Sequence, residues 1–240
     1  MMTVKKMPER LENLEFFTRN EFATAMSREY DMSNTQIAYD LQKRLDSGSL
    51  IHVGWDKYTV PSKKHLYSYC YSKTAENIAS KLAQEFYDLN FQVFELIQLN
   101  EFMNHQMAHN TIFVSVENEM QDFVFDSLKN AYPGRVMLRP SVDEYYRYYQ
   151  DDEIVIGRLP TGTPKGYTRD WESRIEKILV DVLTDKLISK IVPDNEKEAI
   201  VNGVFGAYLL DEKAILRYAK RKGADTKLGE ILEDYKAAAV

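Results

Sequence analysis

The strongest constraint lies in the N-terminal quarter of the chain, where helix signals follow one another closely and then give way to two short alternating runs. Thr18 is a good N-cap, and Glu21 follows three residues later, the pattern of a capping box. It predicts a helix from Arg19 to about Tyr30 that buries Phe22, Ala23 and Met26. An earlier helix is expected from roughly Pro8 to Phe17, with Leu11 and Leu14 inward. After the short turn Asp31-Met32, Ser33 or Asn34 caps a third helix through Asp46. Its apolar stripe is Ile37, Ala38, Leu41 and Leu45, at helical spacing. Ser47-Gly48 ends it, with Gly48 supplying a left-handed conformation. Leu50–Val53 and Lys57–Val60 read as strands joined by the turn Gly54-Trp55-Asp56, and Pro61 stops the second. Helix, helix, helix, hairpin over residues 1–64 is the order of a winged helix-turn-helix.

The third helix carries a polar face apart from its apolar one. Gln36, Tyr39 and Lys43 share that face, and Ser33, Asn34 and Thr35 lie at its N-terminus. Such side chains suit a recognition helix: amides pair with adenine, lysine reaches guanine or phosphate, and hydroxyls reach either. The wing would bring Trp55, Lys57 and His52 to the backbone or minor groove. Arg19 opens the second helix, where an N-terminus meets phosphate. Asp40 and Asp46 oppose this reading electrostatically. The competing interpretation is a winged helix that binds protein and reads no DNA.

Residues 65–240 read as an α/β domain ending in a helical region from about 168. Leu66–Ser72 alternates strictly and predicts a strand, with Cys70 a small core residue. A helix over 73–89 follows, with Ile78, Leu82 and Phe86 on one face. Strands are expected at Phe91–Ile97, Thr111–Val116, Arg135–Leu138 and Ile154–Leu159, with helices near Asn100–Met107 and over 119–131. Tyr145, Tyr146, Tyr148 and Tyr149 form either a buried helix face or a partner surface. Trp171, Ile175, Leu179, Val182 and Leu183 stripe the first helix of the last region, which Pro193 breaks. Ile200, Val204 and Tyr208, then Ile215, Leu216 and Ala219, then Leu228, Ile231 and Leu232 line three more. The whole chain is thus expected in the α/β (α+β) class.

Charge sharpens the functional reading. The net charge is −6, with residues 1–66 holding 10 Lys+Arg against 9 Asp+Glu and the remainder 21 against 28. Any nucleic-acid face must therefore be local. The absence of a long apolar run argues against a membrane span. The N-terminus lacks the pattern of a secretory signal, and one cysteine excludes an internal disulfide framework, so a cytoplasmic location is expected.

No catalytic, metal or cofactor site is expected. His105 and His109 have zinc-ligand spacing, but Gln106 stands where a metalloprotease needs its glutamate. A metal-dependent nuclease is the remaining enzymatic alternative. Its carboxylate–lysine pattern is missing after Glu117, where Glu119 stands. Asp211-Glu212-Lys213 and Asp225-Thr226-Lys227 have the spacing, but on helices, and Asp151-Asp152-Glu153 reads as a solvated turn. The loop Pro160–Gly166 does not follow the phosphate-binding order.

FTRNEF, SNTQIAYDLQKRLDSGSLIHVGWDKYTV, IVIGRLPTGTPKGYTRDWESRIEKILVDVLTDK and AILRYAKRKGA together resemble the AbiEi family of type IV antitoxins and related transcriptional regulators. The resemblance implies a repressor that binds operator DNA upstream of its own operon. It also implies opposition to a nucleotidyltransferase-like toxin without a stable complex. DNA binding would map to the winged helix and antitoxicity to the region after it. Operator sequence and oligomeric state stay open.

Overall fold

The computed structural model describes residues 4–14, 16–47, 49–54, 56–60, 66–224, 226, 228–231 and 233, with backbone alone at 46, 51–54 and 57. The fold is mixed α/β.

Three helices open the chain: α1 (Glu9–Glu12), α2 (Arg19–Tyr30) and α3 (Asn34–Asp46). α1 is shorter than the expected Pro8–Phe17. Phe17 is instead extended and forms a β-bridge with Tyr58, exchanging backbone hydrogen bonds of 2.9 and 2.8 Å. α2 and α3 match their expected bounds, because each begins at a capping box that satisfies otherwise orphaned amides. Asp31 makes the turn between them in the left-handed region, at φ 50°. The hairpin follows as β1 (Ile51–Gly54) and β2 (Lys57–Thr59), with a register shift between His52 and Gly54. Trp55 and Gly48 lie outside the described residues. Leu11, Phe17, Phe22, Met26, Ile37, Leu41, Leu50 and Tyr58 close one small core.

The larger part is built on α4 (Lys73–Glu85), β3 (Phe91–Glu95), β4 (Thr111–Val116), α5 (Gln121–Ala131), β5 (Val136–Leu138), α6 (Val142–Tyr148) and β6 (Glu153–Arg158). The strand order is β3-β4-β6-β5, antiparallel between β3 and β4 and parallel elsewhere. α7 (Ile175–Thr184), α8 (Ile188–Ile191), α9 (Asp194–Ala207) and α10 (Glu212–Arg221) follow. Alternation divides each strand between two cores. Val93, Ile112, Val114, Ile154 and Ile156 pack with Ile78, Leu82, Val124 and Leu128 of α4 and α5. Phe94, Phe113 and Val155 face the other way, against Ile178, Leu179, Val204 and Ile215. The C-terminal helices thus share a core with the sheet. No helix among the described residues is long and apolar enough to cross a membrane.

Several expectations fail here, the first two for one topological reason. Residues 66–72 form no strand, although Tyr67 and Tyr71 are buried and Ser68 exposed, as their alternation implies; Cys70 is exposed with Ser68 and is not the small core residue expected. The edge of β3 is taken instead by residues 171–173. The Val93 N–H donates to the Trp171 carbonyl at 2.8 Å and the Ser173 N–H to the Val93 carbonyl at 3.2 Å. Trp171 therefore precedes α7 and is not part of its stripe. The stretch after β3 tightens into a 3₁₀ helix, Leu96–Glu101, in place of the helix expected near Asn100–Met107. The tyrosine cluster divides: Tyr145 is buried with its hydroxyl 2.6 Å from that of Thr111, while Tyr146 and Tyr148 are exposed. Leu216 likewise lies outward on α10.

Tyr71 locks this edge. Its hydroxyl donates to the Val93 carbonyl and accepts from the Ser173 N–H, each at 3.1 Å. Tyr71→Phe removes both bonds of a buried hydroxyl while the Ser173 N–H keeps the Val93 carbonyl, and it is expected to cost about 0.5–1.5 kcal/mol. Chemical denaturation against the parent checks this, and an unchanged midpoint refutes the lock.

Candidate nucleic-acid interface

The candidate interface starts from how α3 is held. Its inner face places Ile37 and Leu41 in the small core. Asp40 and Arg44, one turn apart on the same helix, are also buried and pair at 2.5 Å. The guanidinium donates a second hydrogen bond to the Lys5 carbonyl and lies 5.9 Å from the centre of the Phe22 ring. Asp40 therefore does not present its charge to an approaching phosphate, contrary to the sequence expectation. Arg44 is lost to the surface for the same reason.

The outer face carries Ser33, Asn34, Thr35, Tyr39 and Gln42 exposed, with Gln36 and Lys43 half-buried. The Lys43 ammonium sits 5.9 Å from the Tyr39 ring centre, a distance at which cation and ring attract. The capping box redistributes roles among these residues. The Gln36 side-chain oxygen accepts from the Ser33 N–H at 2.8 Å and from its hydroxyl at 3.0 Å. Paired recognition of adenine needs that oxygen free, so Gln36 makes it only by giving up the cap. Asn34 is the exposed amide that remains beside it.

The start of α2 differs from expectation as well. The Arg19 N–H donates to Asp56 Oδ1 at 3.1 Å, tying the helix to the hairpin turn. The Thr18 N–H and hydroxyl both donate to Glu21, holding its carboxyl below the usual range. Two carboxylates thus sit where a phosphate was expected, and backbone anion binding at this N-terminus is opposed. The Arg19 side chain is exposed and still offers a phosphate contact.

The hairpin is only partly a free element. β1 runs close against α9 and the 3₁₀ helix of the larger part. Lys57 is described only through its backbone in β2, and His52 only through its place opposite Tyr58.

The other candidate groups sit in structural roles. His105 Nδ1 is 2.8 Å from Glu196, His109 is 3.5 Å from Asp151, and neither lies in a helix. No cluster of three metal-ligating side chains occurs among the described residues. Asp211 caps α10 by accepting from the Ala214 N–H at 2.9 Å. The Glu117 carboxylate accepts from the Asn90 N–H at 3.3 Å. The loop 160–166 is held by Arg221, which donates to the Thr161 carbonyl. A concavity lined by Tyr67, Tyr71, Tyr167, Ser173 and Arg174 offers about 20 Å³, the size of one small group and far below a nucleotide.

No curated protein matches the chain. Residues 36–238, from the first turn of α3 to near the C-terminus, match a family of unknown function, DUF6577, and the chain belongs to that family.

Proposed function

We propose that the N-terminal helices and hairpin form a winged helix that binds DNA, and that the protein is a transcriptional regulator with no catalytic step. The reading rests on one observation above the rest. α3 is fixed by a buried ion pair beneath it and presents Asn34, Thr35, Tyr39 and Lys43 outward, directly after a three-residue turn from α2. The bridge from Phe17 to Tyr58 supports it, since it adds a third extended segment to the hairpin as the winged order requires. In this reading Asn34 and Thr35 contact base edges, and Arg19, Lys43 and Lys57 contact phosphates. Trp55, outside the described residues, enters this reading from the sequence alone, as a further DNA contact. The sequence resemblance extends the proposal to an antitoxin of the AbiEi type, acting in the cytoplasm on its own operon and against a nucleotidyltransferase-like toxin.

A second reading is favoured by the position of β1 against α9 and by the carboxylates around the start of α2. It is a winged helix that binds protein and reads no DNA. Fluorescence anisotropy with the DNA upstream of the gene, at stated salt, separates the two. The DNA reading expects specific binding that Asn34→Ala with Lys43→Ala weakens about tenfold or more, since a good base contact contributes roughly 1–3 kcal/mol. Equal affinity for scrambled DNA, or no loss in the double variant, refutes it.

A further inference from the structure

The exposed face of α10 has a charge unlike the rest of the molecule. Residues 212–222 hold five cations and one acid in a chain of net charge −6. Ala214, Ile215, Tyr218 and Ala219 bury the other face against α7 and the sheet. Lys213, Arg217, Lys220 and Arg221 point outward. Arg221 is engaged by the Thr161 carbonyl, and Lys222 turns inward to Asp181 and Asp185. Lys213, Arg217 and Lys220 have no carboxylate within ion-pair distance among the described residues.

Local helix energetics do not account for this arrangement. Cations in the last turn complement the helix dipole, which explains Lys220 and Arg221. Lys213 is the second residue of α10, where the dipole disfavours a positive charge, and Arg217 sits mid-helix. Neither has a partner that repays its position. With a rise of 1.5 Å per residue, Lys213, Arg217 and Lys220 span roughly 10 Å along one face. At about 3.4 Å of axis per phosphate on one strand, that length covers about three phosphate-to-phosphate steps.

We propose that this face is a second nucleic-acid contact, binding the sugar–phosphate backbone without reading sequence. A duplex backbone fits better than an acidic protein. The three charges sit on extended, solvated side chains with regular spacing, and only Leu216, itself 38% exposed, lies between them to pack a protein surface. The inference rests on the DNA-binding reading, but it makes a separate demand on the data. The recognition helix would supply sequence preference, and α10 would supply charge that the near-neutral N-terminal part lacks.

The test is anisotropy of the full-length chain with two duplexes of about 20 base pairs, one from upstream of the gene and one scrambled, between roughly 50 and 200 mM salt. Lys213→Glu/Arg217→Glu/Lys220→Glu is expected to weaken binding to both duplexes at least about tenfold and to lower the salt slope by about 2–3. The glutamine triple variant is expected to fall between, and it replaces the reversal if circular dichroism shows a folding defect. A triple variant that keeps the parent's affinity and slope overturns the proposal, even if Asn34→Ala/Lys43→Ala loses the upstream duplex. Loss in the triple variant with no preference between duplexes supports α10 and sinks the recognition helix. Tighter binding of the parent to polyglutamate than to either duplex overturns the proposal in favour of an acidic protein partner.

Discussion

Asp181→Ala is expected to destabilise the protein by about 3–5 kcal/mol, the cost of leaving a buried cation without its partner. Asp181 lies on α7 and faces groups from three directions. Lys177 is 2.8 Å away on the same helix, Lys222 is 3.1 Å away just beyond α10, and the Tyr218 hydroxyl donates to it at 3.0 Å. Lys177 is 3% exposed and also lies 3.5 Å from the Ser115 hydroxyl on β4. The carboxylate thus joins two helices to the sheet. Lys177→Met should cost less, because Asp181 keeps Lys222 and Tyr218. Burial acts to raise the Asp181 carboxyl, but the two ammonium groups outweigh it and hold the group below its ordinary range. Its contribution is therefore present above the unfolded value, near 3.9, and is lost as pH falls further through the folded value. Urea denaturation at neutral pH and down to about pH 3 should show a shallower acid loss in Asp181→Ala than in the parent. Equal midpoints for Asp181→Ala and the parent would refute this account.

How much of this was legible in the sequence depended on whether the signal was local. α2 and α3 were readable to the residue because Thr18 and Ser33 cap them through contacts three residues away. β4 was readable because a short run of apolar and β-branched residues is bounded by polar turns. The stretch Leu66–Ser72 has the alternation of a strand, and its burial follows that pattern, yet strand pairing needs a free edge. That edge had gone to residues 171–173, about a hundred positions away, which no local pattern reveals. The burial of Asp40 is hidden from the sequence for a related reason. A carboxylate four residues before an arginine is the usual sign of an exposed helix pair. Only the packing of α2 and the Lys5 segment over it makes the pair internal. The basic face of α10 needed structure for the opposite reason. Five cations within 11 residues are visible in the sequence, but which of them turn inward is decided by Asp181 of α7 and Asp185 just after it.

Arg44→Ala is the corresponding test at the N-terminal end, also with an expected loss of about 3–5 kcal/mol. The substitution leaves the Asp40 carboxylate buried without its cation and the Lys5 carbonyl without its donor. Arg44→Lys is not expected to rescue it, since an ammonium cannot reach the carboxylate and the carbonyl with the planar fork that serves both. The effect should be confined to the small core around Phe22 and Leu41, which shares no residue with the two cores of the larger domain. Hydrogen exchange is the suitable measurement: amides of α2 and α3 lose protection while those of β4 and β6 keep it. Uniform loss across the chain would show that the N-terminal unit does not unfold independently. The pair also offers a way to separate support from recognition. Replacing both partners, Asp40→Leu with Arg44→Met, removes the buried charges together and should restore most of the stability. Neither side chain lies on the outer face of α3. If the recognition reading holds, the double variant regains DNA binding along with its fold. A double variant that folds as the parent does but binds no DNA would place Asp40 or Arg44 in the contact itself, and the assignment of the outer face would then be wrong.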